Sequence, residues 1–289
     1  MAFHSSSPEF LELQALDEPI NHAFAAVRRK RRFGIAVSAL GEIQARCSAK
    51  AQYDDPQPSL GDLLMMEDLQ DLCLKVASNV DLCPERSLLV VEDRWPEIRR
   101  IWIEYCRAQL IGLLQKQHSN NTAKTATTLK KHDNVDPLQL STSFFTCLQC
   151  PSHADRSQLQ LRFPDILMHE YARNRLLAKS LWKSKTSLNE SQRYLFDLPY
   201  ESVGVAPWMV DHAIGLPEAH IVENVARMVE LLHLDPKSAT VEQLNELDPI
   251  LECTDPTGCS DRIRGRCFMA WDSVVRQVPS ITIYELTSM

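Results

Sequence analysis

SFFTCLQCPSHADRSQLQLRFPDILMHEYARN, from Ser143 to Asn174, is the stretch on which the reading of this chain turns. The approach from Leu138 to Thr146 is rich in Thr, Ser, Leu and Phe and reads as a strand. It delivers Cys147 and Cys150 to a turn followed by Pro151, which has no N–H with which to continue a ladder. Two thiolates at this spacing are how a knuckle grips zinc. Phe163-Pro164-Asp165 then opens a helix, with Pro164 at a favoured first position and His169 farther along it. Two cysteines on a turn and a histidine on the next helix supply three donors of a small zinc-pinned unit. The positions where a finger would carry its second histidine hold Ala172, Arg173 and Asn174. His153, a cysteine from elsewhere, or no residue at all then completes the set. The competing reading is a pair of buried, inert thiols beside a partly exposed histidine.

Downstream, Cys253 and Cys259 form a second pair, set in a turn made by Pro256 and Gly258, with Cys267 and a helix through Phe268, Trp271, Val274 and Val275 beyond it. The spacing is looser than a knuckle prefers. The metal candidates are therefore Cys147, Cys150, His169, His153, Cys253 and Cys259, and structural zinc is the cofactor they imply.

Elsewhere the chain reads as helix. Its 8 glycines against 16 prolines argue against tight hairpins and glycine-rich phosphate loops. Residues 1–16 are polar and read as disordered. Residues 17–117 form a helical region, with Pro19 in a first turn and Phe24, Val27, Ile35, Leu40 and Ile43 on one face. Leu63, Leu64, Leu69, Leu72 and Val76 repeat the pattern between Ser59 and Asn79, whereas Ser87–Val91 fits helix or strand. Glu97 to Gln117 is the clearest helix, striped by Ile98, Ile101, Trp102, Tyr105, Leu110, Leu113 and Leu114, and Trp95 stands ready to staple its start. Residues 118–136, rich in Asn, Thr, Lys and His, read as a flexible linker. Residues 137–289 form the Cys/His-bearing domain. In it, Pro217–His233 is a helix with Met228 on its apolar face, Trp182 and Trp208 are core anchors, and Thr240-Val-Glu-Gln243 is a capping box. His212, His220 and His233 read as structural, each without a partner in helical reach. The expected fold is mainly α: a helical N-terminal half, then an α-rich Cys/His half with a short sheet near the first cysteine pair.

Asn134–Cys150, Phe163–His169, Leu234–Asp248 and Met269-Ala-Trp271 together resemble segments of a large family of basidiomycete fungal proteins, many of them called F-box or F-box-like. The resemblance spans roughly residues 95–278. It implies a ubiquitin-ligase substrate adaptor, with Cys147, Cys150, His169, Cys253 and Cys259 inherited from zinc sites. The chain departs from the family at Gln277 and Tyr171, where a histidine and a cysteine are common, and in the wider second pair. No F-box stands at its N-terminus.

A net charge of −7 speaks against a general nucleic-acid binder, and no apolar run is long enough to span a membrane. Nine irregularly spaced cysteines and no signal-peptide pattern point to an intracellular chain, cytoplasmic or nuclear, with reduced thiols. No Gly-x-Ser-x-Gly, phosphate loop or His-Glu-x-x-His is present. The expected function is that of a non-enzymatic adaptor for a protein partner. One alternative is a nuclear regulator using the basic run Arg28-Arg29-Lys30-Arg31-Arg32, which also reads as a solvated helix face. Another is a zinc hydrolase with Glu170 as base, opposed by the roughly 100° that separates adjacent residues on a helix.

Overall fold

The computed structural model describes residues 8–52, 54–121, 135–148, 150, 160–169, 207, 208, 210, 214–253 and 267–271. It is mainly α-helical. The described residues divide into two compact units: one holds those up to Arg99 together with Pro207, the other those of 100–169 and from Trp208 on. The division falls inside a helix rather than in a linker.

The first unit is built on α1 (Pro8–Ala49), a single helix that starts earlier than Asp17 and carries Pro19 within it. Its buried face is Phe33, Val37, Leu40, Ile43 and Cys47, recurring every three or four residues against α3 (Glu67–Ser78) and α4 (Pro84–Asp93). Phe24, Val27 and Ile35, expected on that face, are exposed instead. Ile35 falls off the row that runs through Phe33, Val37 and Leu40. Phe24 and Val27 lie where no described residue of the helix is buried.

The apolar pattern after Ser59 is interrupted at Met66, which adopts extended backbone between α2 (Leu60–Met65) and α3. Ser59 and Asp62 start α2 with a buried capping box: the Asp62 carboxylate accepts from the Ser59 N–H at 2.7 Å, and Ser59 Oγ accepts from the Asp62 N–H at 3.2 Å. The ambiguous Ser87–Val91 run is helical, begun by Pro84, with Leu88 and Val91 inward and Leu89 and Val90 outward. Arg32 leaves the basic run to donate from Nη2 to the carbonyls of Val76, Asn79 and Leu82, where α3 ends. Trp95 is the first residue of α5 (Trp95–Asn121), and its indole N–H donates to Gln57 Oε1 at 3.1 Å.

In the second unit, α5 buries Trp102, Cys106 and Leu110, spaced by four, while Ile101 and Tyr105 are exposed. The buried row is thus narrower than the stripe read from the sequence, and it includes a cysteine. The expected linker is shortened at both ends: α5 runs to Asn121, and Asp136 is engaged with Arg107 at 2.8 Å and with the Leu138 N–H at 3.1 Å. Residues 122–134 lie outside the described residues.

The expected strand over Leu138–Thr146 is replaced by a 3-10 turn (Pro137–Gln139), a bridge from Leu140 to Thr240, and only then β1 (Phe145–Cys147). Proline and the Asp136 cap favour the turn over extended chain. β1 is the middle strand of a small antiparallel sheet, flanked by β2 (Gln160–Leu161) and β3 (Ile214–Gly215). Helix α6 (Ala219–Leu231) and α7 (Val241–Leu247) follow, the latter started by the expected Thr240/Gln243 capping box. A hairpin of β4 (Ile250–Cys253) and β5 (Cys267–Ala270) is a second sheet that the sequence reading did not contain, and β5 stands where a helix was expected. Phe144, Val225, Met228, Val229, Leu244 and Trp271 form the core of this unit. The Arg162 guanidinium lies over both the Phe144 ring (4.8 Å) and the Trp271 ring (4.6 Å). Trp208 is buried as expected, whereas Trp182 and His212 lie outside the described residues. His220 does have a neighbour, the Glu218 carboxylate at 3.3 Å.

Candidate metal centre

β1 brings Cys147 to the core by burying Phe145 and Cys147 on one face of the strand, with the partly exposed Thr146 between them on the other. Cys147 pairs with Ile214 and Thr146 with Gly215, so the chain leaves the sheet immediately after the first thiol. Leu148 then crosses β3. A Cβ on Gly215 would stand 2.8 Å from Leu148 Cδ2, so the bare backbone there gives the turn its room. Cys150 follows, half-buried.

The histidine arrives differently from its sequence expectation. The helix after Pro164 is one 3-10 turn, Asp165–Leu167, and His169 stands just past its end. Fully buried Ile166 and Leu167 pin that turn, and the Ile166 N–H donates to the Arg162 carbonyl at 2.8 Å. His169 is therefore placed by a short anchored turn that follows β2, not by a helix.

These elements gather the ligand atoms of Cys147, Cys150 and His169 within 4.8 Å of one another. Cys150 Sγ and His169 Nε2 are 3.0 Å apart. In a tetrahedral zinc site, bond lengths near 2.3 Å to sulfur and 2.0–2.1 Å to nitrogen put neighbouring donors about 3.5–3.8 Å apart. Adjustments of under about 1 Å would fit the three donors to one ion by that standard. Burial, then the hydrogen bond and charge of Cys147, push the Cys150 thiol up to about 12. Two apposed thiols this close resist carrying two negative charges, and a divalent cation is what would offset the repulsion. Soft sulfur with one imidazole selects zinc over calcium or magnesium.

The remaining candidates fare unevenly. His153, Cys259 and Glu170 lie outside the described residues. Cys253 is on β4, and its cross-strand partner is Cys267 rather than Cys259. The Cys253/Cys259 pairing read from spacing therefore lies partly outside the described residues.

No protein family, curated protein or solved structure matches the chain.

Proposed function

We propose that this chain is a non-enzymatic adaptor for a protein partner, whose second unit is fastened by structural zinc on Cys147, Cys150 and His169. The observation that carries the reading is the convergence of those three donors from two separate stretches of the second unit. A closed structural site needs a fourth protein donor, for which His153 or a further cysteine is the candidate; three donors alone would leave the open position that a catalytic zinc keeps for water or substrate. The resemblance to F-box-like fungal proteins makes a relative of ubiquitin-ligase substrate adaptors the more specific form of the proposal.

Elemental analysis of full-length protein purified without chelator tests the metal. About one zinc per chain is expected for a structural site, with loss of that zinc in Cys147→Ser. Less than about a tenth of an equivalent would overturn it, because structural sites bind far too tightly to be lost in purification. Affinity purification from the native cell tests the partner: a stoichiometric protein companion is expected, and recovery of the chain alone would count against an adaptor.

A further inference from the structure

The ligands of the metal centre come from two stretches of the second unit. The thiols arrive through the Asp136 cap, the 3-10 turn and β1; the imidazole arrives through β2 and the turn Asp165–Leu167. The ladder between the stretches is no more than Phe145–Leu161 and Thr146–Gln160. A metal site binds only as tightly as its donors are held in place, so other contacts between the stretches bear on it directly. Two arginines make them. Arg107, on α5, donates from Nη2 to Asp136 Oδ2 at 2.8 Å, while Asp136 Oδ1 accepts from the Leu138 N–H and caps the turn that leads into β1. The same guanidinium lies 5.2 Å over the Phe163 ring, which stands immediately before Pro164 and the turn that sets His169. Arg162 repeats the arrangement. Its Nη2 donates to the Ser141 carbonyl at 3.1 Å, and its guanidinium lies over the Phe144 ring beside β1 and over Trp271. Its own carbonyl accepts from the Ile166 N–H, inside the histidine's turn. Each arginine therefore holds the cysteine stretch at one end and the histidine stretch at the other.

We propose that Arg107 and Arg162 are positioning residues of the metal centre, holding the thiols of Cys147 and Cys150 beside the His169 imidazole so that the donors have only to close on an arriving divalent cation. The proposal rests on the metal reading given above. Neither arginine donates to the ion, since a guanidinium carries a charge of the same sign and no free lone pair. Their effect is on the cost of ordering: without them, part of the binding free energy would go into bringing the two stretches together. Zinc affinity should then depend on residues outside the ligand set, as it does at sites whose ligands are oriented by their neighbours.

Competition of the full-length chain against a chromophoric zinc chelator tests it. Arg107→Gln and Arg162→Gln should each weaken zinc binding at least about tenfold. Arg107→Lys should recover most of that loss, because an ammonium can still pair with Asp136 and face the Phe163 ring. Arg162→Lys should recover little, since a compact ammonium cannot cover two rings and a carbonyl as a planar guanidinium does. Asp136→Asn, which removes the anion that holds Arg107, should weaken zinc as Arg107→Gln does, and it keeps the test open if a glutamine variant fails to fold. Met228→Ala loosens the same core from α6 and should move zinc affinity less than any of these, which separates positioning from a general loss of stability. A wild-type chain that binds no zinc overturns the metal centre and this proposal with it. Zinc affinity unchanged in either glutamine variant or in Asp136→Asn overturns the positioning role while leaving the metal centre standing. A Met228→Ala chain that loses as much affinity as the arginine variants does the same.

Discussion

Arg32→Ala is expected to destabilise the first unit more than any other substitution in the basic run. Arg32 Nη2 lies 3.0 Å from the Val76 carbonyl and 2.9 Å from that of Leu82, with the Asn79 carbonyl also in reach. Val76 belongs to the last turn of α3, whose carbonyls have no intrahelical donor. A terminal guanidinium nitrogen carries two hydrogens, so two bonds are made in full and the third acceptor shares them. Each bond from a charged donor is worth about 1.5–3 kcal/mol net, and partial exposure of the site trims that. The loss should then be about 2–4 kcal/mol, partly recovered by Arg32→Lys, whose ammonium reaches fewer of the carbonyls. Arg28→Ala, Arg29→Ala and Arg31→Ala should each stay within about 0.5 kcal/mol, as exposed positions do. Urea unfolding followed by helical circular dichroism measures all four. An Arg32→Ala loss below about 0.5 kcal/mol, or the same loss at Arg28, would refute the cap.

Met228→Ala, at a fully buried position of α6, should cost about 2–5 kcal/mol in denaturant or thermal unfolding, and a loss under about 1 kcal/mol would mean the site collapses without a cavity. Ser141 is fully buried, and its hydroxyl meets no partner among the described residues. Ser141→Ala should therefore be neutral or stabilising by up to about 1 kcal/mol, and a clear loss would reveal a bond at that oxygen. Glu92 bridges Arg46 and Lys50 of α1, each at 2.9 Å, and their hydrogen bonds hold its carboxyl down at about 2 from an ordinary 4.5. Its contribution is complete above pH 4.5 and drains away as pH falls toward 2. Glu92→Gln should flatten the acid limb of the stability profile in that window; a limb of unchanged slope would show the bridge is not felt in solution.

Helical periodicity made α3, α5 and α6 legible, because their buried residues recur at three and four and the sequence carries that directly. The Thr240/Gln243 cap was equally plain, being a local exchange of side-chain and backbone bonds. What periodicity could not give was where a helix stops having a core beneath it: Phe24 and Val27 obey the same spacing as Phe33 and Val37 but meet nothing. Arg32 was hidden for the opposite reason, a charged residue in a charged run whose acceptors lie more than forty positions away. At the metal centre, donor identity was readable from Cys147, Cys150 and His169, while the element carrying His169 was not. Pro164 suits a helix start, but here it opens a single 3-10 turn in which Ile166 and Leu167 are buried. The Cys253–Cys267 pairing needed strand register, which the spacing of cysteines in sequence does not encode.

The sheet beneath the metal centre is too small to explain its own existence, and that yields the sharpest test of the zinc. β2 and β3 contribute two residues each, against about five or six for an ordinary strand. Their ladders with β1 consist of the pairs Phe145–Leu161, Thr146–Gln160, Thr146–Gly215 and Cys147–Ile214. Burial of Phe144, Phe145, Ile166 and Leu167 helps, but it fixes the flanks of the turn rather than the Cys147–Cys150 loop itself. A structural zinc would add on the order of 10–16 kcal/mol of binding free energy to that local order, far more than ladders of this length supply. Stripping the metal with a chelator should therefore expose the amides of Phe145–Cys147 and of Asp165–His169 to hydrogen exchange. The amides of α3 and α4, whose core of Leu69, Cys73, Val76, Leu88 and Val91 owes nothing to the site, should keep their protection. If the β1 amides stay protected after zinc is gone, apolar packing alone holds the turn and the thiols are inert. If α3 and α4 open together with β1, the metal supports far more of the chain than the elements that carry its ligands, which a site that orders only its own turn cannot do.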